Sequence, residues 1–374
     1  MSMLAPTAAP AAAGGKQQKA ALRPNTRQRL QKVFPVVSAA LGTAAQVTFP
    51  QVGLLSRIFI YANLTVTDTI NSTSTVSTFG PFNLLKRITG ATNLGTATLF
   101  DLSGYGAFMV DKVTDTTVET RAENYDVTAG ANSLYAYPSS YVATVAKPVQ
   151  FILMIPVTAN DGPQFAVGLI NLQAPELRFT LSLTFGAQTD AYSFSGADVL
   201  TLGGTVTVYY SYYEVPNPDQ VQLPARVLHR LIEDRTAIAA AGDVTYLVPR
   251  QGVALQILHN VILNGAISKN TTDVVSRRLV FNKTDTAYNQ DRIVDMILNR
   301  FRYGFGGLAG DVPGGTFVWD FFDADQAPSR GDLRDAIDTE ALSTLESIVT
   351  LASGVTLGSG NNFLDTIRRI TQSY

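Results

Sequence analysis

The stretch Glu176-Leu-Arg-Phe-Thr-Leu-Ser-Leu-Thr-Phe185 sets the class of fold. Leu177, Phe179, Leu181, Leu183 and Phe185 fall on one side of an extended chain and Arg178, Thr180, Ser182 and Thr184 on the other, the period of a strand buried on one face. Arg57 to Thr67 repeats it, with Ile58, Ile60, Ala62, Leu64 and Val66 against Phe59, Tyr61, Asn63 and Thr65. Thr205 to Val215 sets Val206, Val208, Tyr210 and Tyr212 against Thr207, Tyr209, Ser211 and Tyr213. Helical spacing is rare. Leu102, Tyr105 and Met109 place a helix within Leu99 to Val110, although Gly104 and Gly106 each cost it about 1 kcal/mol relative to Ala. Asp291 to Tyr303 carries Ile293, Met296, Ile297 and Phe301 on one stripe, with Gly304 where a C-terminal cap belongs. Asn25-Thr26 is set to cap a short helix running to about Phe34, with Leu30, Val33 and Phe34 on its apolar side. The expected fold is all-β with one principal helix in each half.

Glu214-Val-Pro-Asn-Pro-Asp-Gln-Val-Gln-Leu-Pro224 separates the halves, because three prolines in nine residues forbid a central strand and favour an extended linker. The expected units are a basic arm and short helix over 1–34, a first β unit over 35–215, a linker over 216–225 and a second β unit over 226–374. The pattern partly repeats across the linker. Phe151 to Val157 matches Phe317 to Asp323, Leu169 to Asn171 matches Ala336 to Asp338, and Leu177 to Leu183 matches Leu345 to Leu351, at offsets of 166, 167 and 168 residues. Earlier segments are offset by nearer 190, so one supersecondary plan is used twice with a longer loop in the second copy.

Composition narrows the function. At 46% hydrophobic and 16% charged residues over 374 positions, the chain must bury a core and has the length of two domains. The longest apolar run, Phe151 to Val157, contains Pro156 and is far short of the ~20 residues of a spanning helix, so membrane insertion is not expected. Met1 to Gly15 lacks a basic start, which argues against a secretory signal. Net charge is −2, yet Lys16, Lys19, Arg23, Arg27, Arg29, Lys32 and Arg57 all precede the first acidic residue, Asp68. Such a basic arm is drawn to phosphates of lipid headgroups or nucleic acid by counterion release; it lacks the aromatic interleaving that base stacking needs.

Catalytic and metal-binding patterns are scarce. The absence of cysteine excludes disulfides, thiolate metal sites and a cysteine nucleophile. His229 and His259 have no second ligand at helical spacing, and His259 lies on the inward side of Val253-Leu255-Ile257-His259-Val261-Leu263, where a hydrogen-bonded structural histidine belongs. Gly304-Phe-Gly306-Gly-Leu-Ala309 follows a helix rather than a strand, so it reads as a helix end and not as a dinucleotide loop. Asp320, Asp323, Asp325, Asp332, Asp335 and Asp338 could supply calcium ligands or a carboxylate pair, but their spacing lacks the glycine and terminal glutamate of an EF-hand loop. No catalytic residue, cofactor or metal site is assigned, and the chain is read as non-enzymatic.

Phe79-Gly-Pro-Phe-Asn-Leu-Leu-Lys-Arg-Ile88 resembles a segment near the start of the first jelly roll in double jelly-roll major capsid proteins of the tectivirus/adenovirus-type lineage. The order of a Gln/Arg-rich N-terminal helix leading into Phe34-Pro-Val, the Tyr-rich strand closing the first half, the linker and Phe317-Val-Trp-Asp-Phe-Phe322 is similar too. The resemblance implies two eight-stranded jelly-roll sandwiches side by side. It implies a homotrimeric, pseudo-hexagonal capsomer of an icosahedral DNA virus or bacteriophage with an internal membrane, assembled in the host cytoplasm and residing in the virion. Implied partners are neighbouring capsomers, penton and minor capsid proteins, with no sequence-specific nucleic acid. Lys16, Lys19, Arg23, Arg27, Arg29 and Lys32 would then face the particle interior, against lipid headgroups or neighbouring subunits. The loop Lys112 to Lys147 would form outer towers or intersubunit contacts. Asn362 to Ile370 fits a helix as well as the last strand of this family. The competing reading is a carbohydrate-binding or carbohydrate-active protein of two sandwiches, with Trp319 and Tyr209 to Tyr213 as aromatic platforms.

Overall fold

The computed structural model describes residues 27–68, 74–77, 79–93, 98–114, 140–141, 146–161, 166–193, 199–215, 227–268, 272–303, 315–321, 336–358 and 361–373. The first half runs β1 (Arg27–Lys32), β2 (Val37–Ser38), β3 (Ala44–Thr48), β4 (Leu54–Asp68), β5 (Ser74–Val76), β6 (Leu85–Thr92), β7 (Thr98–Leu102), α1 (Gly104–Thr114), β8 (Ser140–Tyr141), β9 (Lys147–Pro156), β10 (Asn160–Asp161), β11 (Ala166–Val167), β12 (Ile170–Asn171), β13 (Phe179–Phe185), the short α2 (Gln188–Ala191), β14 (Tyr192–Ser193) and β15 (Leu200–Glu214). The second runs β16 (Val227–Ala237), β17 (Asp243–Leu247), β18 (Val253–Leu263), β19 (Ala266–Ile267), β20 (Val274–Phe281), β21 (Asp285–Asp291), α3 (Arg292–Tyr303), β22 (Thr316–Asp320), β23 (Ile337–Asp338), β24 (Leu345–Leu351) and β25 (Phe363–Ser373).

Alternation turns directly into packing. Ile58, Ile60, Ala62, Leu64 and Val66 of β4, and Phe179, Leu181, Leu183 and Phe185 of β13, are all buried in one core, so the sheet β1–β15–β4–β9 faces the sheet β3–β13–β6–β7. Phe49 links the two faces, edge-on to Phe179 at 4.9 Å and to Tyr210 at 5.3 Å. In the second half, β16–β25–β18–β22 faces β17–β24–β20–β21 around Ile257, Val261, Leu279, Val349 and Leu364. Each sandwich thus has four principal strands per sheet.

Backbone registers carry the duplication in detail. Phe49 N–H donates to Phe179 O as Val248 N–H does to Leu345 O, and Leu172 N–H donates to Gly53 O as Thr339 N–H does to Gly252 O. Gly53 and Gly252 both sit at positive φ, 72° and 67°, where the next strand leaves no room for a Cβ. Register shifts fall at matching places: β15 on β4 between Ser211 and Tyr212, as β25 on β18 opposite Ala254 and Gln256; β7 on β6 after Gly90, as β21 on β20 after Leu279. The offset of 167 for Leu169 to Asn171 holds, whereas the other two matches are each displaced by two residues. A slip of two leaves every side chain on its own face, so alternation alone cannot detect it. The second shift also redirects Leu255, which leaves the core line of Ile257 and packs on Ala159 of the first half.

Three expectations change. Residues 27–32 form the strand β1 rather than a helix, because the open edge of β15 offers a complete backbone ladder from Arg27↔Glu214 to Lys32↔Tyr209. The presumed apolar side does not form: Val33 is buried, but Leu30 and Phe34 are 64% and 71% exposed. The first-half helix starts at Gly104, since Thr98–Leu102 is used as β7. Phe363–Ser373 is a strand, paired on both sides by β16 and β18. The linker 216–225 and positions 115–139 of the long loop lie outside the described residues.

Candidate assembly surface

The halves meet edge to edge. β16 of the second sandwich pairs in parallel with β7 of the first, Leu231 opposite Phe100 and Ile232 opposite Asp101, so a single ten-stranded sheet runs through both. Leu231 and Phe100 are 1% and 2% exposed, and Leu258, Ile262 and Ile367 share their core with residues of the first sandwich. Arg230 Nε donates to Thr98 O at 3.0 Å, and Arg369 Nη2 to Ala159 O at 2.6 Å. Arg369 Nε also donates to His229 Nε2 at 3.0 Å, and burial with this neighbouring cation holds His229 well below its ordinary pKa.

Glu233 completes the joint. Its Oε2 accepts the Ser103 N–H at 2.5 Å, just before α1, while Ser103 Oγ accepts the Gly106 N–H at 2.9 Å. Asn83 Oδ1 accepts the Tyr105 N–H at 2.9 Å. The positive end of α1 is therefore capped by a carboxylate from the other half. Gly106 makes this possible, because a Cβ there would press into Glu233 Oε2. Beside it, burial first and the Glu233 charge second push the Asp365 carboxyl well above its usual range, opposed by Arg235, whose Nε donates to Asp365 Oδ1 at 3.2 Å.

Of the basic arm, Lys16, Lys19 and Arg23 lie outside the described residues, while Arg27, Arg29 and Lys32 sit on β1 at a sheet edge. Arg29 Nε pairs with Glu214 Oε2 at 2.7 Å, and Lys32 Nζ lies 5.3 Å from the centre of the exposed Phe34 ring.

α3 is inverted relative to the sequence expectation. Its polar Arg292 and Asp295 are buried, whereas Ile293, Val294, Met296 and Ile297 are exposed. Asp295 turns inward because Arg277 Nη2 meets its Oδ1 at 2.5 Å, and the Arg277 guanidinium lies 3.7 Å from the centre of a Trp319 ring. Arg292 is stacked over Phe317 at 4.9 Å. A helix with apolar residues outward carries a surface suited to being covered.

Little in the geometry favours sugar binding. Trp319 is buried and donates to Ser347 Oγ at 2.9 Å, and Tyr210, Tyr212 and Tyr213 are buried, which leaves only Tyr209 of those platforms partly exposed. Asp320 accepts the Tyr303 hydroxyl at 2.6 Å, Asp338 caps the Glu340 N–H, and Asp323 to Asp335 lie outside the described residues. Among the described residues no group of three His, Cys, Asp or Glu is placed to hold a metal ion. His259 is the structural histidine its position implies, with Nδ1 2.8 Å from Thr366 Oγ1 and Nε2 2.8 Å from Ser347 Oγ. Sequence reasoning missed Glu233, Asn83 and the Leu231–Phe100 pair, since nothing local marks which strand edges will meet.

Two sandwiches of matching strand order on one shared sheet define a double jelly roll. The chain is similar in structure to the STIV MCP, with a TM-score of 0.65, 15% identity, and coverage of 92% of this chain and 97% of that one. It is also similar to the PBCV-1 virus capsid chain (TM-score 0.63, 13% identity, 95% and 96% covered) and to the major capsid protein P2 from Bacteriophage PM2 (0.50, 8%, 93% and 98%). No protein-family model matches the chain, and no curated protein matches it in sequence. The fold is that of these capsid proteins.

Proposed function

We propose that the chain is a structural major capsid protein that builds the shell of a virion by self-assembly and does no catalysis. The observation that carries this reading is the pair of equivalent sandwiches joined edge to edge, a block that presents two similar sides to its neighbours, in the fold shared with viral capsid proteins over nearly the whole length of each chain. Three copies then give six sandwiches around one axis, a pseudo-hexagonal capsomer, and capsomers tile with each other and with penton and minor capsid proteins. The two rolls are the units 35–215, with the strand 27–32 added to its sheet edge, and 226–374, with the linker 216–225 between them. The arm with Lys16, Lys19 and Arg23 faces the interior and meets anionic headgroups of an internal membrane. Light scattering on the purified 40.2 kDa chain tests the reading: a stable trimer is expected, and a monomer at every concentration refutes it.

A further inference from the structure

Resting on that self-assembly reading, the geometry points to the contact between copies: β21 of one copy pairs in parallel with β1 of the next, repeating between chains the junction that β7 and β16 make within one. The two halves share their registers. β1 lies on β15 as β16 lies on β25, and β21 lies on β20 as β7 lies on β6. Carried through the shared register shifts, Leu30 corresponds to Leu231, Gln31 to Ile232 and Lys32 to Glu233. On the other strand Tyr288 corresponds to Phe100, Asn289 to Asp101 and Asp291 to Ser103, each of the last two standing just before its helix.

Within the chain, β7 and β16 are consumed by each other. Among the described residues, their counterparts β21 and β1 pair only with β20 and β15, leaving one edge of each open. Exposure follows the same rule. Leu231 and Phe100 are buried by the junction, and their counterparts Leu30 and Tyr288 are 64% and 42% exposed. The outward apolar face of α3 begins where β21 ends, beside the same edge.

Charge is complementary at the matching point. Inside the chain the carboxylate of Glu233 reaches the Ser103 N–H; between copies Lys32, in the place of Glu233, reaches the carboxylate of Asp291, in the place of Ser103. A contact that joins two different patches is heterologous, and it closes into a ring only when the rotation per copy allows. Here the rotation is set by the in-chain junction, whose repetition alternates with it around the ring. Closure also removes two open strand edges that would otherwise template aggregation.

The chain has no cysteine, so engineered thiols report the contact cleanly. Full-length L30C and Y288C chains are mixed and oxidised, and the double variant L30C/Y288C is oxidised alone. The expected results are a covalent dimer in the mixture, absent from either single variant, and a covalent trimer from the double variant. L30C mixed with L247C, which places the second thiol on an exposed site of β17, stays uncrosslinked. A second measurement uses charge: K32E raises the concentration at which trimers dissociate, and K32E/D291K restores it. Trimers by light scattering that give no cross-link, or that cross-link equally through L247C, overturn this contact and leave the self-assembly reading standing. A K32E defect that D291K leaves unrepaired overturns the Lys32–Asp291 pairing. An unsubstituted chain that stays monomeric overturns both readings.

Discussion

Replacing Gly106 by alanine will destabilise the protein, and removing Glu233 will abolish that effect. Glu233 Oε2 accepts the Ser103 N–H at 2.5 Å, at the positive end of α1, and its side chain, only 7% exposed, also meets the Asp365 carboxyl. A hydrogen bond to a charged group is worth about 1.5–3 kcal/mol, and a carboxylate at a helix N-terminus about 0.3–1 kcal/mol, so E233A loses about 2–4 kcal/mol of capping, offset in part by relief of the like-charge contact with Asp365. In G106A the new Cβ displaces the same carboxylate and also meets Ser103 Oγ at 3.1 Å. Alanine returns about 1 kcal/mol of helix propensity, leaving a net loss of about 1–3 kcal/mol. Once Glu233 is gone only the milder contact with Ser103 Oγ at 3.1 Å remains, and G106A becomes neutral or stabilising by up to about 1 kcal/mol. The assay is urea denaturation of the four proteins of this double-mutant cycle, followed by circular dichroism and by fluorescence of Trp319, the only tryptophan. If G106A costs the same in both backgrounds, the glycine is required for some reason other than the Glu233 cap.

Other outcomes follow from buried charge and from the arm. Burial, helped by the nearby Arg277 cation, lowers the His259 pKa from 6.5 to about 3, so between those values the unfolded chain binds a proton that the folded chain refuses. Stability therefore falls as pH drops through that window, by about 1.4 kcal/mol per unit for this group, and H259Q should show a shallower slope in acid titrations of unfolding. R277A strands Asp295 in the core and should cost about 3–5 kcal/mol, with a red shift of Trp319 emission; an unchanged denaturation midpoint would contradict the burial argument. Deleting residues 1–24 should leave folded trimers while impairing particle assembly, and normal particle yield after truncation would refute a role for the arm.

Much of the architecture was readable locally. Leu181 and Ile60 are buried because alternation makes one face of each strand apolar, and the Arg292–Tyr303 helix begins within one residue of where its spacing put it. The same locality explains the errors. Leu30, Val33 and Phe34 fit a helical stripe, yet an available edge on β15 outweighed that weak preference, because a strand on a preformed edge gains a full ladder of hydrogen bonds. Ile293 and Ile297 look like core residues, and they point outward because the Arg277–Asp295 pair and the ring faces of Trp319 and Phe317 claim the inward side of α3.

The amino-acid sequence by itself determined that this chain is a duplicated β protein and which side of most strands is buried, since side-chain period is a property of neighbouring residues. Only the tertiary structure decided which edges meet: β16 on β7, β1 on β15, and the carboxylate of Glu233 on the helix of the other half. Edge pairing is made by backbone groups that every residue except proline carries alike, so composition and spacing do not mark which edges will meet.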